Sequence, residues 1–92
     1  PASLQLSCYP NPARSMAKLA FSLKNPAPVR LGIYNLKGQK VKTLSAEEKQ
    51  AGFHELSWDG NDDNGRPVSN GCYIVRLQSG KQSVNRKLVY LK

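Results

Sequence analysis

The sequence predicts an all-β chain, a seven-stranded Greek-key β-sandwich that occupies residues 1–92 as one domain. Two observations lead there. Apolar residues recur at every second position in short runs, and nowhere at the spacing of an amphipathic helix. Between the runs, clusters of Gly, Pro, Asn and Asp return about every 8–12 residues, the spacing of turns in such a sandwich. The length admits one domain, and no linker, repeat or low-complexity stretch divides it.

The elements follow in order. Leu4, Leu6 and Cys8 alternate in a first strand, which Tyr9-Pro10-Asn11-Pro12 is expected to stop because proline offers no N–H to a ladder. Ala17, Leu19, Phe21 and Leu23 alternate with Lys18, Ala20, Ser22 and Lys24 in the second. Asn25-Pro26-Ala27-Pro28 breaks the chain before Val29, Leu31 and Ile33. Lys37-Gly38 signals a tight turn into a short strand over residues 40–44. The polar residues 45–50 read as a connection, with one helical turn over 44–49 as the local alternative. A fifth strand carries His54, Leu56 and Trp58, and residues 59–65 (DGNDDNG) form a dense turn. Gly71 opens a sixth strand with Tyr73, Val75 and Leu77. Ser79-Gly80-Lys81 then turns the chain into a last strand over residues 82–91. The expected core is Leu19, Phe21, Leu31, Ile33, Leu56, Trp58, Tyr73, Val75 and Leu77.

Composition bounds the function classes. Apolar residues make up 39% of the chain, which suits a folded domain. No apolar run approaches the roughly 18 residues that would span a bilayer. The residues from Pro1 to Gln5 have neither the basic nor the apolar region of a signal peptide. The net charge is +8, and all six acids lie between residues 47 and 63. The first 46 residues hold seven bases, and residues 64–92 hold six. Most of the surface should therefore attract polyanions. Because bases alternate with apolar residues, as in Lys18-Leu19 and Arg30-Leu31, they are expected on solvated sheet faces.

No catalytic constellation holds. His54, Ser57 and Asp59 suggest a triad, but on one strand His54 and Ser57 face opposite ways. No Gly-x-Ser-x-Gly elbow and no glycine-rich phosphate loop before a helix is present. His54 shares a face with Leu56 and Trp58 and reads as a half-buried structural histidine. A lone histidine and two cysteines 64 positions apart leave no zinc or iron–sulfur ligand set. Asp59, Asn61 and Asp63 imitate part of a calcium loop. However, Asn64 stands where that loop needs glycine, and Asn70 where it needs its bidentate glutamate. An Asx-rich hairpin turn is the expected reading, with no cofactor and no metal. Aromatics beside bases are too few for a nucleic-acid stacking platform.

Three further motifs occur in order. Tyr9-Pro10-Asn11-Pro12 follows the first strand, Gly71-x-Tyr73-x-x-x-Leu77 lies in the sixth, and Lys87-Leu88-Val89 precedes Lys92. With residues 29–38 (VRLGIYNLKG), 51–60 (AGFHELSWDG) and Gly65-Arg66-Pro67 between them, the chain resembles the type IX secretion system C-terminal sorting domain (type A). It is also similar to a relative of that family, the immunoglobulin-like domain of flagellar hook-capping proteins. The resemblance implies an immunoglobulin-like sandwich without enzymatic activity, carried at the C-terminal end of a larger exported cargo. It implies passage through the periplasm of a Gram-negative bacterium and recognition by an outer-membrane translocon and sorting machinery. It further implies release or cell-surface attachment of the cargo to anionic lipopolysaccharide, with cleavage of the domain. A last strand with a free edge, flanked by Lys87 and Lys92, would suit such recognition. The rival expectation is an immunoglobulin-like spacer, glycan-binding or assembly module of a surface protein or secreted enzyme.

Cys8 and Cys72 lie outside these motifs and are a candidate disulfide. An oxidising compartment favours it, as does alternation of strand direction, which brings the end of the first strand and the start of the sixth to one pole. Side-chain parity opposes it: Cys8 keeps step with the inward Leu4 and Leu6, and Cys72 falls between inward positions.

Overall fold

The computed structural model describes residues 4–91. Its strands are β1 (Gln5–Arg14), β2 (Met16–Leu23), β3 (Ala27–Tyr34), β4 (Lys40–Lys49), β5 (Gly52–Trp58), β6 (Gly71–Ser79) and β7 (Gln82–Leu91). An isolated bridge between Asn61 and Pro67 adds a further pair in the connection from β5 to β6. The hydrogen-bonded order is β4-β3-β6-β7-β1-β2-β5. This is a sandwich of two layers, β4-β3-β6-β7 facing β1-β2-β5, joined where the end of β1 meets the end of β7 in parallel.

One core fills the space between the layers. Leu19, Phe21 and Trp58 come from one sheet, and Val29, Leu31, Ile33, Val75, Leu77 and Leu88 from the other. All are essentially removed from water, and each such side chain stabilises the fold by about 1.5–3 kcal/mol against leaving it exposed. The period-2 pattern is the direct cause, because successive residues of a strand face opposite sides. Leu56 is the one expected core residue that is only partly buried, although it packs against the cluster. It lies on β5, which ends the strand order and has one neighbour. Leu6, Ala13, Ala17 and Tyr90 join the core beyond the expected set.

Two expectations about strand limits are corrected. Residues 45–49 are neither a polar connection nor a helical turn; they continue β4. Ala46, Glu47, Glu48 and Lys49 pair with Arg30, Val29, Pro28 and Ala27 of β3, past an irregularity at Leu31/Gly32. A strand at the rim of a sheet needs few apolar residues, so its polar run misleads a pattern reading.

Nor does Tyr9-Pro10-Asn11-Pro12 stop β1. The strand runs to Arg14, and the motif is where it changes partner. From Gln5 to Tyr9 it pairs with β2, and at Ala13 and Arg14 it pairs with β7, Arg14 also facing Met16 of β2 across the reversal. Prolines end hydrogen bonding to the first sheet while leaving the backbone extended, so the chain crosses from one layer to the other. Both X-Pro bonds of the motif are cis. A tight reversal at Ser15, whose φ is 67°, then returns the chain into β2.

Cys8 and Cys72 do not form a disulfide; both are free thiols. Cys8 sits on β1 opposite Leu19 and packs against the core. Cys72 sits on β6 opposite Val89, out of step with the inward Tyr73, Val75 and Leu77. The parity argument therefore outweighs the argument from strand direction.

Candidate functional site

Asn11 joins the first and last motifs. Its Nδ2 donates to the Lys87 carbonyl at 3.1 Å, and its Oδ1 accepts from the Val89 N–H at 3.0 Å. The parallel register pairs Ala13 with Tyr90, so two residues earlier Asn11 lies level with Leu88. In a parallel ladder, a residue at that position would bond the two backbone groups that flank its opposite number. Here a side-chain amide, chemically a peptide group, makes both bonds between two prolines that have no N–H to give.

The middle motif lies on the other side of β7. Gly71, Tyr73 and Leu77 of β6 are opposite Tyr90, Leu88 and Val84. Gly71 has a φ of 152°, within the range that side chains rarely adopt, at the first residue of its strand. Tyr73 meets Trp58 edge-on with ring centroids 5.5 Å apart, and Trp58 meets Tyr90 at 5.1 Å. These three rings lock the pole of the sandwich at which the motifs gather. Each polar end is satisfied by a backbone carbonyl: Tyr73 donates to Ser69, Trp58 to Asn61 and Tyr90 to Ser15. Burial raises the Tyr73 phenol above its ordinary value, and neighbouring Tyr90 adds to the effect.

Exposure separates the motif residues into two groups. Leu77 and Leu88 are fully buried and Tyr73 nearly so. Tyr9, Pro10, Asn11, Pro12 and Lys87 are exposed. The Tyr9 hydroxyl donates to the Glu55 carboxylate of β5, and that hydrogen bond, with some burial and the carboxylate's charge, raises the phenol. Lys92 lies outside the described residues.

The free last-strand edge is only partly available. β7 pairs with β6 along its length, and its other side is taken by Asn11 at Lys87 and Val89 and by β1 at Tyr90 and Leu91. Closer to its start, Arg86 spans the gap to β1, donating through Nε to the Leu6 carbonyl at 3.1 Å. Arg86 also donates to the Asn85 carbonyl. Cys8 lies nearby, and burial pushes its thiol up to about 11 against the opposing pull of the Arg86 charge.

The other candidates take structural parts. His54 stacks on Phe21 at 5.2 Å, and its Nε2 lies 2.7 Å from the Gln50 carbonyl. Asp59 accepts from the backbone and the side-chain amide of Asn61. Asp62 accepts from the backbone of Asn64 and Arg66, and Asp63 from that of Thr43 on β4. The acidic loop thus directs its oxygens at backbone N–H groups, as Asx turns do. Sequence reasoning missed the amide bridge of Asn11 and the part Tyr90 plays. For Tyr90 a signal existed, since Leu88 and Tyr90 alternate as the earlier core pairs do.

The family model for the FlgD Ig-like domain matches residues 11–83. The basal-body rod modification protein FlgD of Salmonella typhimurium is 32% identical over 80 residues, covering 83% of this chain and 34% of that protein. The chain thus spans about a third of the length of the curated relatives it matches. Among solved structures, dimeric latent PorU from Porphyromonas gingivalis aligns with a TM-score of 0.77 and 21% identity, over 96% of this chain and 9% of PorU. PorZ from Porphyromonas gingivalis, a surface component of the type-IX secretion system, aligns at 0.64 and 18%, over 95% of this chain and 11% of PorZ. FlgD from Xanthomonas campestris aligns at 0.63 and 26%, over 97% of this chain and 62% of that one.

Proposed function

This chain belongs to the FlgD Ig-like domain family, and from that premise we propose that it is a C-terminal sorting domain of a larger exported protein. In this reading the sandwich has seven strands in Greek-key order and no enzymatic activity. An outer-membrane type IX translocon recognises it, and the cargo reaches the cell surface or the medium by way of the periplasm. One observation carries the reading. Parts of three motifs far apart in sequence meet at a single pole, where Asn11 binds the backbone on either side of Leu88 and Leu88 pairs with Tyr73, while Leu77 lies further along β6 opposite Val84. A recognition element built this way exists only in the folded domain. The fold likeness to PorU and PorZ supports the reading, PorZ being itself a type-IX component.

The test is export of a periplasmic reporter fused ahead of residues 1–92 in a host with a type IX system. Reporter in the medium or on the surface supports sorting, and reporter held in the periplasm beside a folded domain refutes it.

A second reading is an assembly or spacer module. The 32% identity to a basal-body rod modification protein favours it, as does the likeness to a FlgD described in terms of hook capping. A protein in which this domain is followed by others, and which assembles normally in a host without type IX secretion, would support that reading instead.

A further inference from the structure

We propose that the outer edge of β5, over residues 53–57, docks an extended basic segment of a partner protein, which adds a strand to the β1-β2-β5 sheet. The order β4-β3-β6-β7-β1-β2-β5 leaves two strands with one neighbour each, β4 and β5. An unpaired row of backbone N–H and C=O groups is a template for pairing with another chain, and folds blunt such edges unless they use them. The two edges of this domain differ in that respect.

β4 carries three blunting devices. Its ladder to β3 is irregular at Leu31/Gly32 and at Ile33/Tyr34, and such irregularities twist an edge away from a flat approach. The loop after β5 covers its first half: Asp63 donates its N–H to the Val41 carbonyl at 3.0 Å, and its Oδ1 accepts from the Thr43 N–H at 3.0 Å. Farther along, Glu47 stands opposite the buried Val29. That sets a carboxylate on the inner face, where an added strand would have to bury it.

β5 shows none of these among the described residues. Its pairs with β2 run in unbroken register, from Gly52 opposite Leu23 to Trp58 opposite Ala17. It contains no proline, lysine or arginine, and no loop bonds its main chain as Asp63 bonds that of β4. Its side chains lack cover on the open side. His54 and Leu56 stand opposite Phe21 and Leu19 on the inner face, yet Leu56 is only partly buried. Phe53 lies on the outer face and is 68% exposed.

Charge selects the occupant. The segment 47–63 holds all six acids with a single lysine and no arginine, on a chain of net charge +8. β5 lies inside that segment. Glu55 is in the middle of the strand on its outer face, and Glu47 and Glu48 precede it across the Gln50-Ala51 link. A second copy pairing antiparallel about the centre of its own β5 would set Glu55 against Glu55, and like charges directly opposite are unfavourable. A strand with lysine or arginine opposite Glu55 and an apolar residue opposite Leu56 meets opposite charge and covers exposed carbon. The site is independent of the export reading and would serve a sorting domain or an assembly module.

The test is titration of the isotope-labelled 92-residue domain with a synthetic peptide that alternates lysine and valine, followed by amide shifts and hydrogen exchange. Two control peptides replace its lysines by glutamate or its central valine by proline. Saturable shifts and slowed exchange centred on residues 53–57 are expected with the lysine peptide. The proline peptide should bind at least about tenfold more weakly, because it withholds an N–H from the ladder, and the glutamate peptide should be weaker by a similar factor. Glu55→Lys should reverse the order of the lysine and glutamate peptides. Tyr9→Phe, which removes only the hydroxyl bond to Glu55, should leave that order unchanged. Shifts that do not saturate, equal binding of the proline peptide, an unchanged order in folded Glu55→Lys, or preference of the unsubstituted domain for the glutamate peptide would each overturn the proposal. Shifts at β5 that grow with domain concentration without peptide would do so too, by making a second copy the occupant.

Discussion

The backbone N–H of Val89 is satisfied by the side chain of Asn11, 78 positions away, at 3.0 Å. Its counterpart is the bond from Asn11 to the Lys87 carbonyl. One side chain therefore makes both bonds that the backbone of a residue level with Leu88 would make in a parallel ladder. Replacing Asn11 by Ala should lower the unfolding free energy by about 1–3 kcal/mol, the cost of orphaned backbone groups. Asn11→Asp keeps an acceptor for Val89 but sets a carboxylate against the Lys87 carbonyl, so it should be no better than Ala. Denaturant unfolding measures the first effect. Hydrogen exchange should accelerate at Val89 well beyond the change at Val75 in the core.

Much of this fold could be read from alternation alone. Leu19-Phe21, Leu31-Ile33 and Tyr73-Val75-Leu77 reveal both faces of their strands because one side is dry and the other wet. The method fails where that contrast fades. β4 borders solvent, so the run from Ala46 to Lys49 carries no apolar signal although it is fully paired. At Tyr9-Pro10-Asn11-Pro12 the missing N–H groups could be read, but not that the Asn11 side chain between the prolines would bond the β7 backbone on either side of Leu88. Recognising that requires knowing which strand runs alongside.

Gly60 should tolerate no side chain. It has a φ of 81°, and a Cβ there would fall 2.0 Å from the Tyr90 hydroxyl. Gly38 is a control with a similar φ of 84° and nothing within 4 Å. Gly38→Ala should cost about 1–2 kcal/mol from backbone conformation alone. Gly60→Ala must also displace Tyr90 from Trp58 and should cost at least about 2 kcal/mol more, in the range of core overpacking. Equal melting temperatures for the two variants would contradict the packing described for Tyr90.

Cys8 makes stability depend on pH in the alkaline range. Its thiol rises from 9.0 to about 11 on folding, so between those values the folded state holds a proton that the unfolded state has released. The unfolding free energy must then fall as pH climbs from about 9 to 11, and Cys8 contributes no slope below that window. The raised Tyr9 and Tyr73 phenols act in the same direction, so the Cys8 share is isolated by subtracting the profile of Cys8→Ala. A difference that stays flat between pH 8 and 11 would refute the burial-driven shift. Under denaturing, non-reducing conditions, two thiols per chain should be titrated.

The division of the motifs by exposure separates folding from recognition. Leu88→Ala removes a fully buried side chain and should cost about 2–5 kcal/mol, so any loss of export in that variant reports instability. Lys87 is different. It is exposed on β7 opposite Ile74, and the Asn11 bond uses its carbonyl and not its ammonium. Lys87→Glu should therefore leave the unfolding free energy within about 0.5 kcal/mol, as surface changes usually do, while reversing a charge that a partner would meet. If the assembled pole is what the translocon reads, a reporter fused to the Lys87→Glu domain should accumulate in the periplasm with the domain folded. Lys87→Arg, which keeps the charge, should restore export. Normal export of folded Lys87→Glu would remove this side chain from the recognition surface and leave the exposed Tyr9, Pro10 and Pro12 as the positions to substitute next.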